Sequence, residues 1–475
     1  SRGYTSTVRP SRASSLAAAR PLSPSRLVRI TWNPRRLSSR QVSKPRLRLA
    51  PVTSAVRTLT EWAELGAVST VHAIFATVPS PAPALNWRAL ATFPELLVRR
   101  TCAKYPGPGG WVVMARRSTG PYVPEPLDQG TWAGRLVFDH PGVLDRPVGG
   151  LTSSGLHSAW WRPDVVLQWD GVRPGRGAES AEAPLLDALL ATAEKPVTHR
   201  PIALWERRTP KDRYLATVRK LLAHIQRGDI YEINYCTERT TQLEDFDPYA
   251  AFARLLDATD APFASLYRSG DLFALCMSPE RFLRIEGRQV LTEPMKGTRR
   301  RSRDAAEDAV LAHELAQDPK ERSENIMAVD VARHDLSRIA APGSVQVPEL
   351  CAVRTYPNVH QLVSTVRAEL RNGLGPWDAV RAAFPMASMT GAPKRRALEL
   401  ITEAEEMPRG LFSGSLGFQL PDGTLDLNVV IRTLTWDART GRASLITGGA
   451  ITAQSDAEQE WEECELKARS ILDAL

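Results

Sequence analysis

Between Thr209 and Gln242 the apolar residues change period, and that change limits the architectures the chain can adopt. Tyr214, Val218, Leu221, Leu222 and Ile225 recur on one helical face, after Thr209 as cap and Pro210 as first residue, and Gly228 stops the run. From Ile230 the period drops to two: Tyr231, Ile233 and Tyr235 fall on one side, Glu232 and Asn234 on the other. Helical and strand periods go on alternating toward the C-terminus, so the class is mixed α and β. Upstream, from about 62 to 195, the apolar pieces are shorter. Val71–Phe75 and Asp164–Trp169 read as strands, Pro106–Gly110 as a turn and 172–186 as an exposed loop.

The charge is unevenly placed. Residues 1–60 hold 13 of the 61 Lys and Arg and not one Asp or Glu, which leaves 48 basic against 53 acidic residues in the remainder. The net +8 therefore belongs to an extension, residues 1–61, rich in Ser, Arg and Pro and predicted to be disordered. Its composition suits a transit peptide, although six prolines break any long helix; a start site placed too far upstream is the preferred reading. The rest divides into a region of short strands, 62–200, and a well-patterned region, 201–475. No basic face marks a nucleic-acid binder and no run is long and apolar enough to span a membrane. Five cysteines without a CxxC pair fit free thiols in a reducing compartment. The expected location is the cytoplasm, or a plastid if the extension is a transit peptide.

Lys296 stands out because the chain otherwise spends arginine: 52 Arg against 9 Lys, with Arg299, Arg300 and Arg301 close by. An arginine cannot give up its proton in a protein, whereas a lysine can become a nucleophilic amine. Around it stand Ser278-Pro279-Glu280-Arg281-Phe282, Pro294-Met295-Lys296-Gly297-Thr298, Ala332-Arg333-His334-Asp335-Leu336, Thr390-Gly391-Ala392-Pro393-Lys394, Ile431-Arg432-Thr433 and Gly448-Gly449-Ala450-Ile451. In this order they resemble the chorismate-utilising enzymes, from about Thr209 to the C-terminus. The resemblance implies an α+β fold, a large antiparallel sheet core flanked by helices, with an N-terminal sheet layer over the weakly matched 62–200.

It also implies site residues. Glu280 matches the general acid, Lys296 the nucleophile position and His360 an active-site histidine. Thr298, Thr390, Gly391, Arg432, Gly448 and Gly449 match substrate-binding positions. Arg432 offers a planar fork for a carboxylate, read here on an apolar strand; Thr390–Pro393 opens a helix whose first amides suit an anion. Asp318-Pro319-Lys320-Glu321 and Ser455-Asp456-Ala457-Glu458 read as capping boxes starting two helices. Those helices carry Glu324, Glu460 and Glu463, which match the carboxylates that hold Mg²⁺, a cation that takes one or two protein carboxylates and fills its shell with water and substrate oxygens.

Within the family, lysine in the Pro-x-Lys-Gly-Thr slot resembles aminodeoxychorismate synthase component I, where anthranilate synthases have alanine. Isochorismate and salicylate synthases have a water-activating lysine where this chain has Glu232. The implied reaction is chorismate plus ammonia to 4-amino-4-deoxychorismate, toward 4-aminobenzoate and folate. Lys296, its pKa lowered by burial and a nearby cation, would attack C2, and ammonia would then displace it. No cysteine sits in a glycine-flanked elbow, so ammonia has to come free or from a glutamine amidotransferase subunit. The alternatives are an anthranilate synthase large subunit and a non-catalytic binding homologue. His334, Ala387 and Phe418 depart from the family pattern, Phe418 replacing a carboxylate-binding tyrosine, and Ala261–Ser265 lacks a tryptophan-site motif.

Overall fold

Two sheets account for most of the strands. The computed structural model describes residues 85–101, 110–138, 157–170, 183–191, 204–356 and 358–475; the extension 1–61 and the strand expected at Val71–Phe75 lie outside them. Among these residues ten strands form one sheet and nine form the other, with antiparallel pairing throughout. The class is α+β, with antiparallel sheets flanked by helices.

The stretch before residue 200 is woven into both sheets instead of forming a layer of its own. Glu95–Thr101 pairs with Phe263–Ser269 in the first sheet, and Trp132–Leu136 pairs with Ser415–Gln419 in the second. Val165–Asp170 is a strand close to the expected bounds, while 183–186, read as loop, belongs to the helix Ala183–Leu190. All described residues fall in one compact unit, Val68–Leu475.

The period change at Thr209 is present with its boundaries moved. The helix is Lys211–Gln226, with Pro210 at the cap position and no side-chain cap bond. Thr209 is buried, which takes it out of the capping role. The strand Glu232–Gln242 follows, and its first eight residues are buried on both faces. Its apolar residues Ile233 and Tyr235 pack under the helix with Tyr214 and Val218. Glu232 and Asn234, on the polar face, are turned into the protein and not toward solvent, whereas Tyr231 is exposed.

Polar contacts between the sheets are few and specific. Arg99 of the first sheet donates to Asp426 of the second at 3.0 Å, with both side chains fully buried. Arg284 and Arg281 reach the other Asp426 oxygen at 3.2 and 3.6 Å. These three guanidiniums hold the Asp426 carboxyl below its usual pKa despite complete burial. Replacing Asp426 with Ala strands buried cations that cannot be deprotonated. Urea denaturation is expected to show a loss of about 3–5 kcal/mol, the usual cost of removing one partner from a buried ion pair.

Candidate active site

One further contact between the sheets is an ion pair. Lys296 lies on Met295–Arg300, an edge strand of the second sheet, and Glu232 begins the strand Glu232–Gln242 of the first. The Lys296 Nζ donates to Glu232 Oε1 at 2.6 Å, and the two side chains are 10% and 3% exposed. A bulge sets the angle of the lysine: register slips between Lys296 and Thr298, with Gly297 at φ +78°. A Cβ on Gly297 would come within 3.0 Å of Glu321, so the residue after the lysine has to be glycine. Burial, the largest influence, pulls the Lys296 pKa down, but Glu232 and Glu324 outweigh it and hold the ammonium above its ordinary value. The direction is opposite to that expected from the sequence, because the pair to Glu232 was not foreseen.

Glu280 sits between the strands Leu272–Ser278 and Arg281–Glu286. Its backbone is fastened by Ser278 Oγ at 3.1 Å and by Val429 N–H at 3.1 Å. Its carboxyl is pushed up to about 7 by burial, moderated by Ser388 and the Lys296 charge. Arg281 donates to Glu293 at 2.6 Å, and Arg354 takes the other Glu293 oxygen at 2.8 Å. Since Glu293 is three residues before Lys296, this buried bridge ties the segment bearing the acid to the segment bearing the amine. A pocket beside Glu280 is lined by Pro294, Asp335, Met386, Ala387 and Ser388.

Two helices bring carboxylates to the same region. Pro319–Ser337 starts with the Asp318 carboxylate capping the amides of Lys320 and Glu321, as expected; Glu321 turns to Arg299. In Ala457–Leu472 the cap is Asp456, one residue later than read, and Ser455 is left to donate to Glu460 Oε1 at 2.7 Å. Glu324 is buried and its carboxyl is pushed up to about 7 by burial, with Lys296 pulling the other way. Glu460 is 1% exposed, and its Oε2 has no hydrogen-bond partner. Glu463, more open, is held by Lys467 at 2.5 Å, and this and other lysines keep its pKa low against burial. Among the described residues no three His, Cys, Asp or Glu side chains converge closely enough to hold an ion. A lysine stands between two of the three expected ligands: Lys320 Nζ is 3.2 Å from Glu460 Oε1 and 3.9 Å from Glu324 Oε1.

The remaining predicted residues divide. Arg432 lies in a turn between strands, not on one, at φ +52°, and donates to Ser470 at 3.0 Å. Gly448 and Gly449 are mid-strand, opposite Cys236 and Tyr235; a Cβ on Gly449 would fall 2.9 Å from Glu460 Oε2. Gly391 pairs with Ile233, and any Cβ there would collide with the Glu232 carbonyl at 2.2 Å, so glycine lets this edge close on the strand that bears Glu232. Thr390 donates its hydroxyl to the Met386 and Ala387 carbonyls, which leaves its oxygen as an acceptor. Pro393, at the cap of Lys394–Ala404, brings no amide to an anion site. His360 is held at both ring nitrogens, Nε2 by Asp308 at 2.9 Å and Nδ1 by Thr355 at 2.9 Å. Thr298 lies opposite Gln361. Phe418 packs in an apolar cluster with Leu97 and Tyr267, away from the carboxylates.

Sequence reasoning missed Glu232 and Lys320. The signal was the scarcity of lysine: Lys296, Lys320, Lys394 and Lys467 each meet a carboxylate, on Glu232, Glu460, Asp335 and Glu463.

Residues 136–473 match the chorismate binding enzyme model, and the chain belongs to that family. It is 40% identical to aminodeoxychorismate synthase component 1 of Salmonella typhimurium over 287 residues, 60% of this chain and 63% of that one. It is 36% identical to anthranilate synthase component 1 of Thermus thermophilus over 326 residues, 66% and 70% of the two chains. The crystal structure of anthranilate synthase component I from Streptococcus pneumoniae superposes with a TM-score of 0.62 at 22% identity, covering 86% of this chain and 96% of that one, and shares the fold. The matched segment spans 29% to 63% of the aminodeoxychorismate synthases it resembles.

The two raised carboxyls make a pH prediction. A carboxyl whose folded pKa lies above its unfolded value stabilises below the unfolded value, about 4.5, and that contribution is lost as pH rises through about 7. Each group is worth at most roughly 3 kcal/mol. Glu280→Gln is expected to flatten the fall in urea stability between pH 5 and 7.5. A slope equal to that of the parent protein would show that Glu280 is ionised across this range.

Proposed function

We propose that the chain aminates chorismate at C4, giving 4-amino-4-deoxychorismate, as component I of an aminodeoxychorismate synthase. The observation that carries this reading is the buried amine of Lys296 set among Glu232, Glu280 and Glu324. The aminodeoxychorismate synthases among its relatives support it.

The chemistry follows from the protonation states. With its pKa near 7, Glu280 is available as an acid at neutral pH and would give its proton to the departing C4 hydroxyl. Lys296 rests as an ammonium and cannot attack until it loses a proton. Glu232, 2.6 Å away, is the acceptor in place. The free amine would then add to C2 as the C4–O bond breaks and the double bond shifts. Ammonia would add at C4, reverse the shift and expel the lysine. Arg432 and the backbone at Gly448 and Gly449 would hold the two carboxylates, with Thr298 beside the lysine.

Mg²⁺ takes only one or two protein carboxylates, so it can be accommodated here although no three close on one point among the described residues. Glu324, Glu460 and Glu463 supply hard oxygens, and the unpartnered, buried Oε2 of Glu460 wants a cation. These residues would hold it; the ion would neutralise a substrate carboxylate and orient the ring. A glutamine amidotransferase partner would supply the ammonia, in line with the component 1 naming of relatives. Among the described residues no helix is long and apolar enough to cross a membrane. Cytoplasm is the proposed location, with the plastid as alternative, since the rice and Arabidopsis relatives are chloroplastic.

The rival is anthranilate formation, which the Thermus thermophilus relative favours. Incubation with chorismate, Mg²⁺ and ammonium, followed by product identification, decides between them: 4-amino-4-deoxychorismate is expected, and anthranilate would overturn the reading. Lys296→Arg keeps the charge but cannot form the adduct, so its turnover should drop to that of Lys296→Ala. Glu280→Gln is expected to lose about 10²–10⁴-fold in kcat.

A further inference from the structure

We propose that Lys320 is a built-in counter-ion of the carboxylate pocket, standing where a divalent cation binds and swinging out when that ion arrives. The inference rests on the proposed cation-dependent reading of Glu324, Glu460 and Glu463, and adds a competitor to it.

Position comes first. Lys320 is the second residue of the helix Pro319–Ser337, where the helix dipole favours anions, so a cation gains nothing from that dipole. What holds it is a pair of carboxylates: Nζ lies 3.2 Å from Glu460 Oε1, on the helix Ala457–Leu472, and 3.9 Å from Glu324 Oε1, one turn along its own helix. One ammonium thus bridges carboxylates of two helices.

It does so incompletely. Glu460 is 1% exposed, yet its Oε2 has no partner, although buried charge is costly unless every lone pair is met. Ser455 and Lys320 both bind Oε1, leaving Oε2 open beside Gly449, where no side chain intrudes. A small dication, with more charge and six coordination positions, could serve both Glu460 and Glu324 where the ammonium serves mainly one oxygen.

Exit is also available. The Lys320 side chain is 33% exposed, against 1% for Glu460 and 9% for Glu324, so the ammonium sits on the solvent side of the carboxylates. Its flexible four-carbon stem can withdraw without unpacking the helix. Lysine suits this task better than the arginine used nearly everywhere else, because a compact point charge mimics a monatomic ion and a planar fork does not.

Two consequences follow that a merely structural lysine would not produce together. Without Lys320 the metal-free protein is less stable, because Glu324 and Glu460 lose their counter-charge. The same change makes the divalent ion bind tighter, because it no longer displaces a cation. The test uses the full chain without chorismate, so it does not depend on what the enzyme makes. MgCl₂ is titrated calorimetrically into the parent protein, Lys320→Met and Lys320→Arg, and the melting temperature of each is read in EDTA and in MgCl₂.

Lys320→Met is expected to bind Mg²⁺ about tenfold tighter, the effect of removing one competing ion pair near a protein surface. It should melt lower than the parent in EDTA and recover in MgCl₂, while Lys320→Arg stays within about twofold of the parent. Lys320→Gln gives the same comparison should the methionine variant not fold. Unchanged or weaker Mg²⁺ binding in the uncharged variants overturns the proposal, as does an unaltered melting temperature in EDTA.

Discussion

The Lys296–Glu232 contact is the interaction on which the site depends. It joins the edge of one sheet to the strand next to the other's edge, at 2.6 Å and almost without solvent. An ion pair at that depth survives only where burial is matched by geometry, and removing one partner from such a pair costs about 3–5 kcal/mol. The geometry comes from glycine at Gly297, which lets the bulge aim the lysine, and at Gly391, which lets the outer strand close against Glu232. The pair therefore sets both the spacing of the sheets at the site and the protonation state from which any chemistry starts.

Around it the protein keeps its charges in balance. Lys296 meets Glu232, Lys320 meets Glu460 and Lys467 meets Glu463, so three lysines offset three acids before any ligand binds. Glu280 and Glu324, without so close a partner, instead drift toward the protonated form, with pKa values near 7. The outcome is a pocket with a usable acid, a held ammonium and carboxylates poised for exchange of counter-ions. Farther in, Arg99 and Asp426 fix the two sheets rigidly, and the bridge from Arg281 through Glu293 to Arg354 carries that rigidity to the segments bearing Glu280 and Lys296.

Much of the fold was legible in the sequence, because it rests on local rules. The change of period near Thr209, the strand from 232 and the helices begun by Asp318 and Asp456 followed from spacing and capping, with shifts of a residue or two. What was not legible depends on long-range pairing. Alternation put Glu232 and Asn234 on a polar face but could not tell that a second sheet and two helices cover it. The partners of His360, Asp308 and Thr355, are likewise set by tertiary packing. The lysine count, which singles out Lys296, extends to Lys320, Lys394 and Lys467, each of which meets a carboxylate.

The central claim is that Lys296 acts as a nucleophile despite resting as a clamped ammonium. The most direct measurement is mass spectrometry of the protein quenched after mixing with chorismate and Mg²⁺ in the absence of ammonia, followed by peptide mapping. The account predicts a covalent adduct on the peptide containing Lys296, lost in Lys296→Arg and reduced in Glu232→Gln, where the proton acceptor is gone. Formation of 4-amino-4-deoxychorismate by Lys296→Arg at the parent rate, with no adduct on Lys296 in the parent protein, would contradict it.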